Sequence, residues 1–175
     1  MQSQNIIPVI KHFPGHGDTS IDSHLGLPSV DNDLNRLRNF ELIPFSKAIK
    51  NNADVVMVAH ILLPKIDASN PATFSKIIIT DILRNDLNFD GVVITDDMEM
   101  SAISKNFHIE DASIKSIIAG SDIILVCHTY DKQVKVINAL KNAVENNKIS
   151  EERIDESVYR ILKLKQEYNL TNKPI

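Results

Sequence analysis

The chain has 175 residues, 43% of them hydrophobic and 24% charged, with a formal net charge of −4. That is core enough for a folded domain and too apolar for a disordered one, and an acidic balance without a Lys/Arg block speaks against nucleic acid or an anionic membrane as partner. A single cysteine, Cys127, excludes a disulfide framework within the chain and fits a reducing compartment. No apolar run approaches the ~20 residues of a membrane span, and the first ten residues lack a signal-peptide pattern, so a cytoplasmic location is expected.

In chain order, the first apolar run is IIPVI (6–10), read as a buried strand. Residues 32–50 follow with helical spacing of Leu34, Leu37, Leu42, Phe45 and Ile49. A second strand is expected within 54–63, ending near His60, then a helix over 75–87 carrying Ile78, Ile79, Ile82 and Leu83. GVVITD (91–96) reads as the third strand, 109–119 as a helix, and DIILVC (122–127) as the fourth strand. Helices over 132–146 and 151–168 complete the chain, the last with Ser150 as N-cap and a broad apolar face through Ile154, Val158, Ile161, Leu162 and Leu164. The strands are β-branched and continuous rather than alternating, which suits coverage on both faces. Their regular alternation with helices predicts an α/β fold with a parallel sheet, either doubly wound or part of a (β/α)8 barrel.

Ionisable residues gather at the C-terminal ends of these runs: Lys11 and His12, His60, Asp96 and Asp97, and His128. In parallel α/β folds that end forms the active-site face. Between Phe13 and Val30 lies a long loop with little helical or strand period, carrying Gly15, Gly17, His16, Asp18, Asp22 and His24. Asp22 and His24 stand two apart, so an extended backbone turns both side chains to one side. A carboxylate beside an imidazole fixes its tautomer and makes a general acid/base that works near neutral pH.

Together, KHFPGHGDTSIDSHLGLP (11–28), VMVAHILLP (56–64) with PATFS (71–75), and GVVITDDMEMSAI (91–103) resemble glycoside hydrolase family three, in particular its bacterial β-N-acetylglucosaminidases. The resemblance implies a retaining hydrolase that removes β-linked N-acetylglucosamine, with no cofactor and no metal. It implies Asp96 as the nucleophile that forms a covalent glycosyl intermediate, His24 with Asp22 as the acid/base dyad, and Lys11 and His12 as ligands of sugar hydroxyls. His60 and Asp97 join them as candidate substrate-binding residues, and Lys11 is expected to keep Asp96 ionised. The substrate implied is a small N-acetylglucosaminyl glycoside or muropeptide, in peptidoglycan recycling, with phosphate left open beside water as acceptor.

The resemblance begins at the family's fifth barrel strand, so residues 1–175 would supply strands five to eight and a C-terminal helix: the C-terminal half of a TIM (β/α)8 barrel. Four βα units cannot close a barrel of ~250 residues. A separately encoded N-terminal half or self-association is therefore the expected partner, and an inactive or partner-dependent fragment is the alternative. A metal-dependent barrel hydrolase, using His12, His16, His24, His60, Asp96 and His128, is a further alternative; Lys11 beside His12 argues against it.

Overall fold

The computed structural model describes residues 2–17, 19 and 26–170. Strand β1 spans Val9–Phe13, β2 Val55–Val58, β3 Val92–Asp97 and β4 Ile123–Leu125. Helices α1 (Leu34–Asn39) and α2 (Leu42–Lys50) lie between β1 and β2, and a wide π-type helix, Ile77–Asp86, between β2 and β3. A short α3 (Ser101–Ser104) and then α4 (Ile109–Ala119) connect β3 to β4, and α5 (Tyr130–Glu145) and α6 (Glu151–Glu167) follow.

The four strands pair in parallel in the order β1-β2-β3-β4. A doubly wound sheet would reverse its order at a switch point. A sequential order under right-handed crossovers instead stacks the helices on one side and curls the sheet into a barrel wall. The core lies between sheet and helices, where Val56, Val58 and Val93 meet Leu37, Phe45, Ile78, Ile79 and Leu83.

Several boundaries differ from the sequence reading, each for a local reason. The first strand runs Val9–Phe13 rather than 6–10; Pro8 has no amide to give a ladder, and the shift brings Lys11 and His12 into the strand. The expected helix over 32–50 is two helices, because Pro44 would clash with the carbonyl of Phe40, where α1 ends. Asp33 caps α1 through the amide of Arg36 at 2.8 Å, and Ser150 caps α6 as expected.

Helix α6 also corrects an expectation. Its inward face is mixed rather than purely apolar: Arg153, Ser157 and Arg160 turn toward the sheet beside the half-buried Ile154, Ile161 and Leu164, while Val158 and Leu162 are exposed. It runs across the N-terminal ends of all four strands. Arg153 donates to the Ser121 carbonyl at 2.9 Å ahead of β4, Arg160 reaches Asp90 at 3.4 Å ahead of β3, and the Tyr168 hydroxyl donates to Asp54 ahead of β2. Asn5, ahead of β1, donates to the Tyr168 carbonyl at 3.0 Å.

At its centre sits Asp122, its side chain fully buried. One oxygen accepts from Arg84 at 2.6 Å and from the Val93 amide at 2.9 Å; the other accepts from Ser157 at 2.8 Å, Arg153 at 3.2 Å and Arg160 at 3.4 Å. Burial pushes the Arg84 guanidinium below its ordinary value, Asp122 opposes that, and the other two arginines add to it.

Strands β1 and β4 are the two edges of this sheet. Both are flanked by exposed apolar side chains: Phe40 (64% exposed) and Ile43 beside β1, and Val134 and Ile137 (59% exposed) on α5 beyond β4.

Candidate active site

Successive side chains of a strand point to opposite faces, so two consecutive aspartates at the end of β3 cannot share a direction. Along β3, Ile94 and Asp96 are half-buried on one face, while Val93, Thr95 and Asp97 are buried on the other. The strand's period thus separates the roles of the two carboxylates.

Both strands that carry site residues bulge where those residues sit. From Ile10 to Phe13, β1 advances against only Val56 to Val58 of β2, so Lys11 and His12 occupy the irregularity. From Ile94 to Asp97, β3 advances against only Ile123 to Leu125 of β4, so Thr95 and Asp96 occupy another. Bulges at barrel rims re-aim side chains. Here they bring His12 Nε2 to 3.6 Å from Asp96 Oδ2. The other oxygen of Asp96 accepts the Asp97 amide at 2.9 Å. The carboxylate is 20% exposed, so it keeps a free approach from solvent.

His12, not Lys11, makes the contact to Asp96; Lys11 is exposed beside it. Burial pushes the His12 imidazole below its usual value; Asp96 opposes this, and Lys11 and His16 reinforce it. His16 holds its loop through Nδ1 and the Thr19 hydroxyl at 3.0 Å. A cleft of about 500 Å³ beside β1 is lined by Lys11, His12 and His16 together with Phe40, Glu41 and Ile43.

Asp97, grouped above with the substrate-binding residues, has its carboxylate taken up within the protein. Oδ1 accepts the amides of Glu99 at 3.1 Å and Cys127 at 3.2 Å, and Oδ2 meets His128 Nε2 at 2.9 Å.

His60 likewise lies beneath the strand ends, at 1% exposure. Its Nε2 is 2.9 Å from the Asp97 carbonyl, and its Nδ1 is 2.7 Å from the Thr73 hydroxyl. Burial pushes the ring below its usual value, against the opposing pull of the Asp97 carbonyl and of the Asp96 and Asp97 carboxylates. A neutral ring has one N–H, which the Asp97 carbonyl takes, while the Thr73 hydroxyl lies between Nδ1 and the Ala59 carbonyl, 2.9 Å from the latter.

That arrangement predicts a pH dependence. Because the folded ring holds its proton less well than the unfolded one, folding is favoured fully above about pH 6.5 and loses stability as pH falls below it. Each pH unit in that range costs about 1.4 kcal/mol for as long as the folded ring stays neutral. Urea midpoints measured from pH 7.5 to 5.5 should fall for the native chain and fall less for His60→Gln; parallel slopes would overturn this.

Asp22 and His24 lie outside the described residues. The end of their loop is fixed: the Val30 amide donates to the Leu62 carbonyl at 2.9 Å and the Leu62 amide to the Pro28 carbonyl at 2.8 Å. Among the described residues no group of three His, Cys, Asp or Glu side chains converges as a metal site, and no helix is long and apolar enough to cross a membrane.

One participant escapes the sequence reading. Glu99, half-buried as a residue, sends its carboxylate to the start of α5, accepting the amides of His128 at 2.8 Å and Thr129 at 2.7 Å. Its position two residues after Asp97 placed it on the strand-end face; nothing in the spacing pointed to a partner 29 residues away.

A sheet of this winding with a carboxylate at the rim meets its counterpart among known proteins. The model of the glycosyl hydrolase family 3 N-terminal domain matches residues 1–164. The chain belongs to glycosyl hydrolase family 3. A family 3 β-N-acetylglucosaminidase from Paenibacillus sp. str. FPU-7 superposes with a TM-score of 0.95 at 45% identity, over 99% of this chain and 34% of that one. Beta-hexosaminidase A of Pseudoalteromonas piscicida is 37% identical over 94% of this chain and 30% of its own length. The beta-hexosaminidase of Methylococcus capsulatus is 37% identical over 81% of this chain and 42% of its own. The family 3 chain described here therefore spans about a third of the length of these relatives.

Proposed function

We propose that this chain supplies the nucleophile-bearing part of a retaining β-N-acetylglucosaminidase. The observation that carries the reading is Asp96: a partly exposed carboxylate on a rigid strand end, steadied by one backbone amide and facing His12. Retaining hydrolysis needs a carboxylate to attack the anomeric carbon and a proton donor on the other side of the bond. Asp96 attacks, and His24, oriented by Asp22, protonates the leaving oxygen and then takes a proton from the incoming water. Lys11 and His12 hold sugar hydroxyls. Asp97 and His60 act one step back, on the backbone that carries Asp96.

In this reading residues 1–175 correspond to barrel strands five to eight with a C-terminal helix, and the family's first four βα units, outside residues 1–175, are the partner that the sheet edges meet. The exposed apolar residues at both sheet edges, Phe40 and Ile43 at one and Val134 and Ile137 at the other, support that partner. The likeness to proteins named beta-hexosaminidases supports an N-acetylglucosaminyl glycoside as substrate. The acidic, single-cysteine composition supports a cytoplasmic setting and, with it, peptidoglycan recycling.

The test is hydrolysis of aryl β-N-acetylglucosaminides by the chain with and without a co-expressed polypeptide of four preceding βα units. Hydrolysis is expected with the partner. His24→Ala should then slow substrates with poor leaving groups by about 10²-fold or more and activated aryl substrates far less, because only the former need the proton. Equal loss on both would remove His24 from the acid role. No hydrolysis in either setting would overturn the function.

A further inference from the structure

Three consecutive backbone amides, those of Cys127, His128 and Thr129, all donate to carboxylates of the segment that follows Asp96. Cys127 donates to Asp97 Oδ1, while His128 and Thr129 both donate to Glu99 Oε2. Glu99 Oε1 completes an ion pair with Lys132 Nζ at 2.9 Å, one turn into α5. The Glu99 carboxylate is nearly enclosed, at 4% exposure. Burial works against its charge, but hydrogen bonds from Thr129, Lys132 and the His128 amide outweigh that and hold its carboxyl down at about 2. The positive end of the α5 dipole favours the same anion. The arrangement therefore stays charged throughout the neutral range.

From these contacts we infer that Glu99 is a positioning residue for the nucleophile. It clasps the loop after β3 to the loop after β4 and so fixes the backbone that orients Asp96. The inference rests on the reading of Asp96 as nucleophile. The link runs through Asp97: its amide holds Asp96 Oδ1 at 2.9 Å, and its carboxylate accepts the amides of Glu99 and Cys127, one from each loop. The motif thus divides its labour along four residues. Asp96 faces the reaction, Asp97 ties its own loop to Cys127 and His128, and Glu99 ties the next turn to α5.

The clasp is tested on the chain itself, without need of turnover. Amide exchange at His128 and Thr129 is followed in the native chain, in Glu99→Ala, and in Glu99→Gln, which keeps an acceptor but no charge. Glu99→Ala should speed exchange there by about tenfold or more, with Glu99→Gln in between, since local opening governs protection. The titration of the His12 ring, read by NMR, reports its contact with Asp96. It should move in Glu99→Ala beyond the shift that Glu99→Gln causes by loss of charge alone. Lys132→Met, which leaves both amides bound, provides a milder arm should Glu99→Ala not fold, with exchange rising less than in Glu99→Gln. Unchanged exchange, or a His12 titration identical in Glu99→Ala and Glu99→Gln, overturns the inference. Assays of aryl N-acetylglucosaminide hydrolysis, run in parallel with the co-expressed partner, separate the two readings: with no turnover in any form, loosened exchange and a moved His12 titration retire hydrolysis and leave the clasp standing.

Discussion

Asp96→Ala abolishes covalent labelling by a 2-fluoro-N-acetylglucosaminyl-type inactivator and lowers turnover by about 10⁴-fold or more, the scale on which loss of a nucleophile registers in enzymes that form covalent intermediates. The expectation follows from position. Asp96 shares the half-exposed face of β3 with Ile94, whereas the neighbouring Asp97 is turned to the opposite face and bound to amides. Asp97 cannot substitute for it without flipping the strand. Asp97→Asn should accordingly leave labelling at Asp96 intact while slowing it, since the amide carbonyl still accepts from Glu99 and Cys127. The measurement is intact-protein mass after incubation with the inactivator, in the presence of the complementing polypeptide, followed by peptide mapping. Labelling that persists in Asp96→Ala would assign the nucleophile elsewhere.

Asp122→Ala should destabilise the fold by about 3–5 kcal/mol, the cost of removing one partner from a buried ionic cluster. The magnitude rests on what remains: Arg84, Arg153 and Arg160, each no more than 18% exposed, would face one another without their common carboxylate. The Val93 amide and the Ser157 hydroxyl would lose their acceptor as well. Asp122→Asn keeps a single acceptor oxygen, enough for the Val93 amide or the Ser157 hydroxyl but not for both, since they bind different carboxylate oxygens, and should fall between the native chain and the alanine variant. Urea denaturation with the slope held constant measures both. A loss below about 1 kcal/mol would mean that the arginines recover their hydration as at an exposed surface.

Much of the architecture is legible in the residues, because the strands are continuous β-branched runs and the helices keep a clear period. The expected helix over 109–119 is α4, and the strand expected over 91–96 is β3 shifted by one residue. What hydrophobic pattern cannot supply is pairing. The shift of β1 to Val9–Phe13 depends on its neighbour, and the bulges at His12 and Asp96 depend on register with β2 and β4. Alternation along β3 was available in the sequence and separates Asp96 from Asp97 without a structure. The burial of His60 was not, since Thr73 and the Asp97 carbonyl that hold it are 13 and 37 residues away. The arginines about Asp122 are invisible for the same reason, and they amend the reading of α6: three residues that look like a solvated face turn inward beside Ile154, Ile161 and Leu164.

The transverse course of α6 has a consequence for how such a protein can vary. Its contacts with the segments ahead of all four strands lie at the end of the sheet opposite Asp96, His12 and Glu99. Cohesion is anchored at one end and the proposed chemistry at the other, an arrangement that parallel barrels tolerate well. Residues on the reactive rim can therefore drift, lengthen or change preference in descendants of this gene while the girder beneath keeps the strands in line.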